Sequence, residues 1–236
     1  MRLVYIMMTV TIEHFIQRIA MEGPEVLLDS PLKGEWAILN PPGHAPLAFD
    51  FLATKGNRFP YSMPTSLRHL ISTISVEATY AWKQPVFAPG DGVVVGYSND
   101  RPDRERISLI YDLVRLLLSR PNPGSPFSAY GGNYVILKCG DVFPLLAHLS
   151  CGSVRVKVGD YVKAGEHLGM VGNSGLSLQP HLHFQVMRNK DPFPLFHNLV
   201  PFRLRAFHKH VGREWKSMAN AALHNGDHLR LTVGGH

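Results

Sequence analysis

Two histidines that stand two positions apart are the residues of this sequence best suited to chemistry. His181 and His183 lie in the segment 180–186, PHLHFQV. Because residues i and i+2 of a β-strand face the same side, the two imidazoles should project together. Imidazole nitrogens need hydrogen-bond partners, so an apolar core is a poor place for such a pair. The pair instead suits a metal site, with one histidine as ligand and the other as a catalytic group.

Three further residues could complete such a site. His148 closes the apolar run LLAHL, where a buried histidine with one satisfied hydrogen bond is the alternative interpretation. His44 and Asp50 are separated by a stretch containing Pro46, which rules out one regular strand. A turn after His44 could still bring both side chains to one metal. Two imidazole nitrogens and one carboxylate oxygen are zinc ligands that leave a fourth position open for water.

The surrounding pattern favours an all-β fold. Short apolar runs alternate with turns rich in the 21 Gly and 18 Pro residues, which indicates a sandwich or barrel. The runs predict strands at 34–39, 48–52, 84–89, 92–96, 133–138, 143–148, 152–156, 161–162, 167–171 and 181–187, with a further possible strand at 70–76.

A few helices interrupt this pattern. We expect a short helix at 12–21 and an amphipathic helix over 104–119, where Ile107, Ile110, Leu113 (or Val114) and Leu117 recur at helical spacing. A third helix is possible around Arg213–Leu223. The predicted organisation is an N-terminal helical appendage (1–30), a main domain (31–205) with insertions at about 54–82 and 100–130, and a basic, His-rich tail (206–236).

Composition limits the partners. The formal charge of +6 and the pI of about 9.4 suit an anionic partner such as cell-wall polymer, a membrane surface or nucleic acid. No Lys/Arg block and no interleaving of aromatic and basic residues is present, so we expect no nucleic acid partner. No apolar stretch approaches the ~18 residues of a membrane span. The N-terminal apolar run is broken by Thr and Glu and lacks a signal-peptide cleavage site. The two cysteines, Cys139 and Cys151, are expected to be buried free thiols.

Several motifs together resemble the lysostaphin-type zinc endopeptidases. They run from about residue 32 to 187 and include GEWAILN, PVFAPGDGVVV, GGNYVILKCGD, LLAHLS, VKVGDYVKAGEHLGMVGNSG and PHLHFQV. The resemblance implies an antiparallel β groove, of the barrel-sandwich hybrid type, with zinc on its floor. It implies His44, Asp50 and His183 as zinc ligands, and His148 and His181 as catalytic residues. It also implies a peptide substrate in bacterial peptidoglycan and a site of action outside the cytoplasm.

One motif departs from the family. Its usual first motif is H-x-x-x-D, whereas this sequence has the longer HAPLAFD from His44 to Asp50. His69 is rejected as the first ligand because Thr73, not Asp, stands four residues later.

Two other functions compete with a peptidase. An inactive domain of the same fold could bind peptide or activate a partner after losing zinc. A lipoyl- or biotinyl-carrier-like module is suggested by the turn GDYVKAGE at 159–166, but the modifiable lysine between small residues or Met is missing and Lys138 has a different setting. The remaining histidines, including His14, His167 and His197, are expected to be solvated or structural. The sequence leaves the oligomeric state open.

Overall fold

Short extended segments dominate the structure. It is a computed structural model that describes residues 26–41, 44–56, 73–118, 126–192 and 198–234. The strands are β1 (Val26–Leu28), β2 (Gly34–Leu39), β3 (Phe49–Ala53), β4 (Ile74–Ser75), β5 (Pro85–Phe87), β6 (Gly92–Ser98), β7 (Arg106–Ile107), β8 (Asn133–Lys138), β9 (Phe143–Leu149), β10 (Tyr161–Val162), β11 (His167–Met170), β12 (Leu182–Met187), β13 (Phe202–Val211), β14 (Glu214–Ala221) and β15 (His228–Leu231). The helices are α1 (Leu109–Leu118) and α2 (Ser128–Gly131), with a 3-10 turn at Val76–Ala78. The all-β prediction is confirmed.

One large sheet carries most of these strands. Within the described ranges it has 11 strands in the order β1-β13-β15-β2-β3-β12-β9-β8-β6-β10, with β14 paired to β13. The neighbouring pairs are antiparallel except β1 with β13, which is parallel. In the described part of the chain the path ends at β1 and β10, so the sheet is open rather than a closed barrel. Two small sheets, β5–β11 and β4–β7, accompany it.

The pairing of strands β3 and β12 determines which side chains face the core and which face the opposite side of the sheet. They are antiparallel neighbours with Asp50 directly opposite His183. The residues on either side of these two point to the opposite face and are buried: Phe49, Phe51, Leu182 and Phe184. Burial of each such apolar side chain stabilises the folded state by about 1.5–3 kcal/mol. A one-residue slip would expose the whole set, so the apolar face fixes the register that places Asp50 beside His183.

The C-terminal segment differs from the prediction. The helix expected around Arg213–Leu223 is wrong, because Glu214–Ala221 is strand β14 and pairs along β13. The turn between the two strands is Gly212-Arg213, and Gly212 has φ 66°. A glycine with positive φ at the first of two turn residues forms the hairpin turn that matches strand twist. The predicted boundary between residues 205 and 206 falls inside β13.

The inserted helix forms with different bounds, and two of its predicted core residues are exposed. It runs from Leu109 to Leu118, whereas Ile107 belongs to β7. Ile110 and Val114 are exposed, while Asp112 is buried. Ile110 and Val114 therefore do not contribute to the buried face that the spacing predicted.

Other local predictions have mixed outcomes. The strand expected at 152–156 is wrong, because those residues form turns and irregular structure. The predicted helix at 12–21, with His14, lies outside the described residues, as do His69 and His197. Of the possible strand at 70–76, residues 70–72 also lie outside them, and Ile74–Ser75 forms strand β4. Strands β4 and β7 join the two predicted insertions to each other. No helix in the described ranges has the length and apolarity to cross a membrane.

The two cysteines are free, as predicted, but they are not both buried. Cys139 is half-buried and Cys151 is exposed. Burial, together with the nearby Asp91 carboxylate, raises the pKa of the Cys139 thiol to about 11.

We predict that iodoacetamide distinguishes the two thiols. The thiolate is the reactive form, so at pH 8 Cys139 should react roughly a hundredfold more slowly than an unperturbed cysteine. Its rate should rise as pH increases towards 11. Intact-mass spectrometry of Cys151→Ser would follow Cys139 alone, and comparison with the full chain would give the labelling of Cys151. Fast labelling of Cys151→Ser at pH 8 would contradict the burial of Cys139.

Candidate metal centre and active site

The site is built around the carboxylate of Asp50. Its Oδ1 lies 2.9 Å from His183 Nδ1 and 3.4 Å from His181 Nε2, and its Oδ2 lies 3.5 Å from His44 Nε2. Asp50 is 7% exposed. A buried carboxylate is costly without partners, and here three imidazoles supply them.

A turn carries His44 over Asp50. The amide of His44 donates to the Pro41 carbonyl at 3.0 Å, and the amide of Ala48 donates to the Ala45 carbonyl at 3.0 Å. The side-chain amide of Asn40 donates to the carbonyls of Ala45 and Ala48. This turn brings together the two residues whose long spacing departs from H-x-x-x-D. Burial, together with the nearby positive charge of His183 and His181, lowers the pKa of His44 to about 4 despite the attraction of Asp50.

Alternation along β12 places the next two groups. His181 directly precedes the strand and His183 is its second residue, so both face Asp50. Gln185 follows on the same face, and its Oε1 lies 3.1 Å from His183 Nε2. Gln185 was not identified from the sequence, although the same i, i+2 spacing that paired the histidines also applies to it.

A β-bulge turns His148 towards this cluster. On β8, Asn133 pairs with Leu149 and Tyr134 pairs with Ala147, so His148 is the extra residue between them. Its φ is 60°, the left-handed conformation found in bulges beside active sites. The His148 ring centroid lies 4.7 Å from that of His181 and 5.9 Å from that of His183.

One loop orients both histidines that are not candidate ligands. The loop between β11 and β12 offers the Ser174 carbonyl to His148 Nδ1 at 2.9 Å and the Gln179 carbonyl to His181 Nδ1 at 2.7 Å. A carbonyl only accepts, so each Nδ1 carries the proton. Nε2 is then the ring nitrogen that can accept a proton in the neutral form. The Nε2 of His181 is buried and faces Asp50 Oδ1 at 3.4 Å.

The charges of the cluster shift several pKa values. Burial alone would raise the pKa of Asp50, but attraction to His181 and hydrogen bonds from His181 and His183 hold it well below its usual value. Burial would lower the pKa of His181, and Asp50 raises it overall. Burial and repulsion from His181 and His183 hold the pKa of His148 well below its usual value. Asp50 is therefore ionised at neutral pH and available to a cation.

Three of the residues match the needs of a metal. His44, Asp50 and His183 each offer a ligand atom, and these atoms lie within 4.8 Å of one another. In addition, the buried His44 Nδ1 has no hydrogen-bond partner. Two imidazoles and one carboxylate are a donor set found in catalytic zinc sites. The residues fit a zinc ion.

Comparison with known proteins identifies the family. The profile of peptidase family M23 matches residues 73–194. This is more than half of the chain. The chain belongs to peptidase family M23.

Known M23 relatives align with short parts of this chain. Lysostaphin of Staphylococcus simulans is 42% identical over 71 residues, which cover 27% of this chain and 14% of the relative. The peptidoglycan DD-endopeptidase ShyA of Vibrio cholerae serotype O1 is 29% identical over 108 residues, covering 46% of this chain and 18% of the relative. The aligned regions thus span less than a fifth of either relative. The solved catalytic domain of lysostaphin from Staphylococcus simulans is 23% identical with a TM-score of 0.36, covering 69% of this chain and 91% of that chain.

The M23 match covers fewer of the predicted site residues than the geometry brings together. The matched residues include His148, His181 and His183, but not His44 or Asp50. The structure brings all five predicted residues together across β3, β9 and β12 and the turn before β3. The family match therefore does not bear on His44 and Asp50, which the geometry alone brings to the site, and the role of each of the five residues stays a prediction.

The position of the loop between β11 and β12 also depends on a close approach of two glycines, Gly132 and Gly175. Gly132 has φ 65°, and a Cβ there would overlap Ser174, whose carbonyl accepts from His148. Gly175 lies against Gly132 in the same way. Glycine at both positions lets this loop sit directly on α2.

We predict that Gly132→Ala is much more destabilising than Gly212→Ala. Both residues have positive φ, but nothing lies within 4 Å of a Cβ at Gly212. Gly212→Ala, the control, should lose stability only through backbone strain at positive φ. Gly132→Ala should lose about 1–3 kcal/mol more, because its Cβ overpacks against Ser174. Urea denaturation of the two variants measures the difference in the free energy of unfolding. Equal losses of stability would contradict the close approach.

Proposed function

We propose that this chain is a zinc-dependent endopeptidase that hydrolyses peptide bonds in the cross-links or stem peptides of peptidoglycan. The observation that carries the proposal is the cluster of His44, Asp50 and His183 with two further histidines beside it. Membership of peptidase family M23 supports peptidase activity.

The metal ligands are proposed to be His44, Asp50 and His183. When bound, zinc supplies Lewis-acid polarisation of the scissile carbonyl and a water whose pKa is lowered towards about 7. Asp50 contributes the negative charge that favours a cation at this position. The buried apolar residues behind β3 and β12 hold Asp50 and His183 in register, so the donor atoms are already close together.

The proposed catalytic residues are His148 and His181. Their Nδ1 atoms are occupied by the carbonyls of Ser174 and Gln179, so each ring presents Nε2 for proton transfer. One imidazole can accept the proton of the attacking water, and the protonated form of either can donate to the oxygen on which charge develops. The loop carbonyls fix both tautomers before substrate arrives.

The proposed substrate rests on relatives and charge. One relative is named a peptidoglycan DD-endopeptidase and another a glycyl-glycine endopeptidase. The formal charge of +6 favours an anionic polymer such as cell wall. A peptidoglycan substrate would place the enzyme outside the cytoplasm.

We predict that substitutions of the proposed ligands abolish zinc binding, whereas substitution of the neighbouring His181 abolishes only catalysis. Asp50→Ala and His183→Ala should lose most of about one equivalent of zinc, because each removes a donor. His181→Ala should keep the zinc and lose roughly a hundredfold or more in peptide hydrolysis, because it removes only a proton-transfer group. Elemental analysis of dialysed protein measures the zinc, and mass spectrometry of fragments released from purified peptidoglycan measures cleavage and locates the bond.

Two controls sharpen this experiment. All variants would carry His236→Ala, so that the terminal Gly-Gly-His sequence contributes no metal site. His208→Ala removes an exposed histidine of β13 and should change neither zinc nor cleavage. Loss of zinc in His181→Ala as complete as in Asp50→Ala would overturn the ligand assignment. One zinc per parent chain without any cleavage would instead favour an inactive peptide-binding domain of the same fold.

A further inference from the structure

The loop that orients the proposed catalytic histidines is itself held by the inserted segment before and within α1. Two arginines of this segment reach the loop. The guanidinium of Arg104 donates to the Ser177 carbonyl, and Arg115 Nη2 donates to the same carbonyl at 3.1 Å. Arg115 also lies 3.4 Å from the Gly175 carbonyl.

A buried carboxylate holds the two arginines together. Asp112 of α1 is 1% exposed, forms an ion pair with Arg104 and lies 3.9 Å from Arg115 Nε. Its other oxygen accepts the Ser108 amide at 2.9 Å. Burial and the nearby positive charge of Arg115 lower the pKa of Arg104, although Asp112 opposes the shift.

The contact continues from the loop to His181. The Ser177 hydroxyl is buried and donates to the Gln179 carbonyl at 2.6 Å. The same carbonyl accepts from His181 Nδ1. Asp112, the two arginines, Ser177, Gln179 and His181 therefore form one continuous chain of polar contacts.

This chain of polar contacts is better suited to fixing positions than to adding stability. A buried ion pair is weak evidence for stability, because the cost of removing two charges from water offsets their attraction. Its hydrogen-bond geometry is directional, however, so it fixes positions well. Three apolar residues of α1, Ile110, Tyr111 and Val114, are exposed. They therefore do not hold α1 against the rest of the protein.

We propose that Asp112, Arg104 and Arg115 are positioning residues that hold the loop carbonyls and thereby orient the ring of His181. The proposal rests on the proposed function, since it assigns a reason for the orientation of a catalytic histidine. The contacts of these three residues given above lead to the loop carbonyls of Ser177 and Gly175, not to the proposed metal ligands. They act through Ser177 and Gln179, and small displacements of a proton-transfer group are enough to slow a reaction roughly a hundredfold.

The test compares arginines of the same segment. Arg104→Ala removes the guanidinium between Asp112 and Ser177, and Arg104→Lys keeps the charge but cannot bridge both partners as a fork does. Arg106→Ala is the matched control, because Arg106 is exposed and donates only to Thr73 among the described contacts. Ser177→Ala removes the hydroxyl while keeping the carbonyl that the arginines bind, which gives a milder variant if Arg104→Ala does not fold.

Kinetics and zinc content provide the first readout. Arg104→Ala and Ser177→Ala should lower kcat roughly tenfold or more, with KM and zinc content within about twofold of the parent. Arg104→Lys should recover part of kcat, and Arg106→Ala should match the parent. An unchanged kcat in folded Arg104→Ala and Ser177→Ala, or a loss that follows zinc loss, would overturn the proposal.

A second readout does not need activity. Nitrogen-15 NMR of the histidine side chains should show a slowly exchanging Nδ1 proton for His181, assigned by its disappearance in His181→Gln. The proton should exchange faster in Arg104→Ala and Ser177→Ala, but not in Arg106→Ala. If the parent cleaves no substrate, this result still supports the positioning role while the peptidase proposal fails. An unchanged His181 proton in folded Arg104→Ala would overturn the positioning role whatever the activity.

Discussion

A carboxylate that is buried and ionised determines much of this site. Removing Asp50 from water has a large free-energy cost unless positive or hydrogen-bonding groups surround it. His181 and His183 supply such groups through β12, and His44 supplies another through the turn before β3. Imidazole is well suited to this role because it can bind Asp50, bind a metal or exchange a proton near neutral pH. The same carboxylate therefore brings the histidines together and supplies the negative charge on which the proposed metal site depends.

The sheet can hold these groups because its two faces obey different constraints. Behind β3 and β12, packed phenylalanines set the register, and their alternation leaves Asp50 and His183 on the other face. Strict alternation along β9 would turn His148 away, since its neighbour Ala147 is the residue opposite His183. The bulge at His148 corrects the direction of one side chain without disturbing the pairing on either side. Regular pairing and one local irregularity are both required.

Local sequence patterns predicted the parts of this arrangement that depend on neighbours in the chain. The i, i+2 spacing placed His181 and His183 on one face, and apolar runs located most strands. The bulge at His148 could not be predicted, because it depends on how Asn133 and Tyr134 pair from another strand. Strand β14 was missed for a related reason. Its residues are mostly exposed and lack strong alternation, so its conformation depends on the hydrogen bonds of β13.

The inserted helix shows why charge can matter more than hydrophobic pattern. Its apolar spacing predicted Ile110 among the packed side chains, but Ile110 is exposed whereas Asp112 is buried among polar partners. A carboxylate at this position gains nothing from apolar surroundings, and it is stable there because Arg104 and Arg115 accompany it. The arginines in turn require acceptors, which the loop carbonyls of Ser177 and Gly175 provide. Each buried polar group thus requires the next as its hydrogen-bond or ion-pair partner. The contacts end at His181, whose orientation catalysis would require.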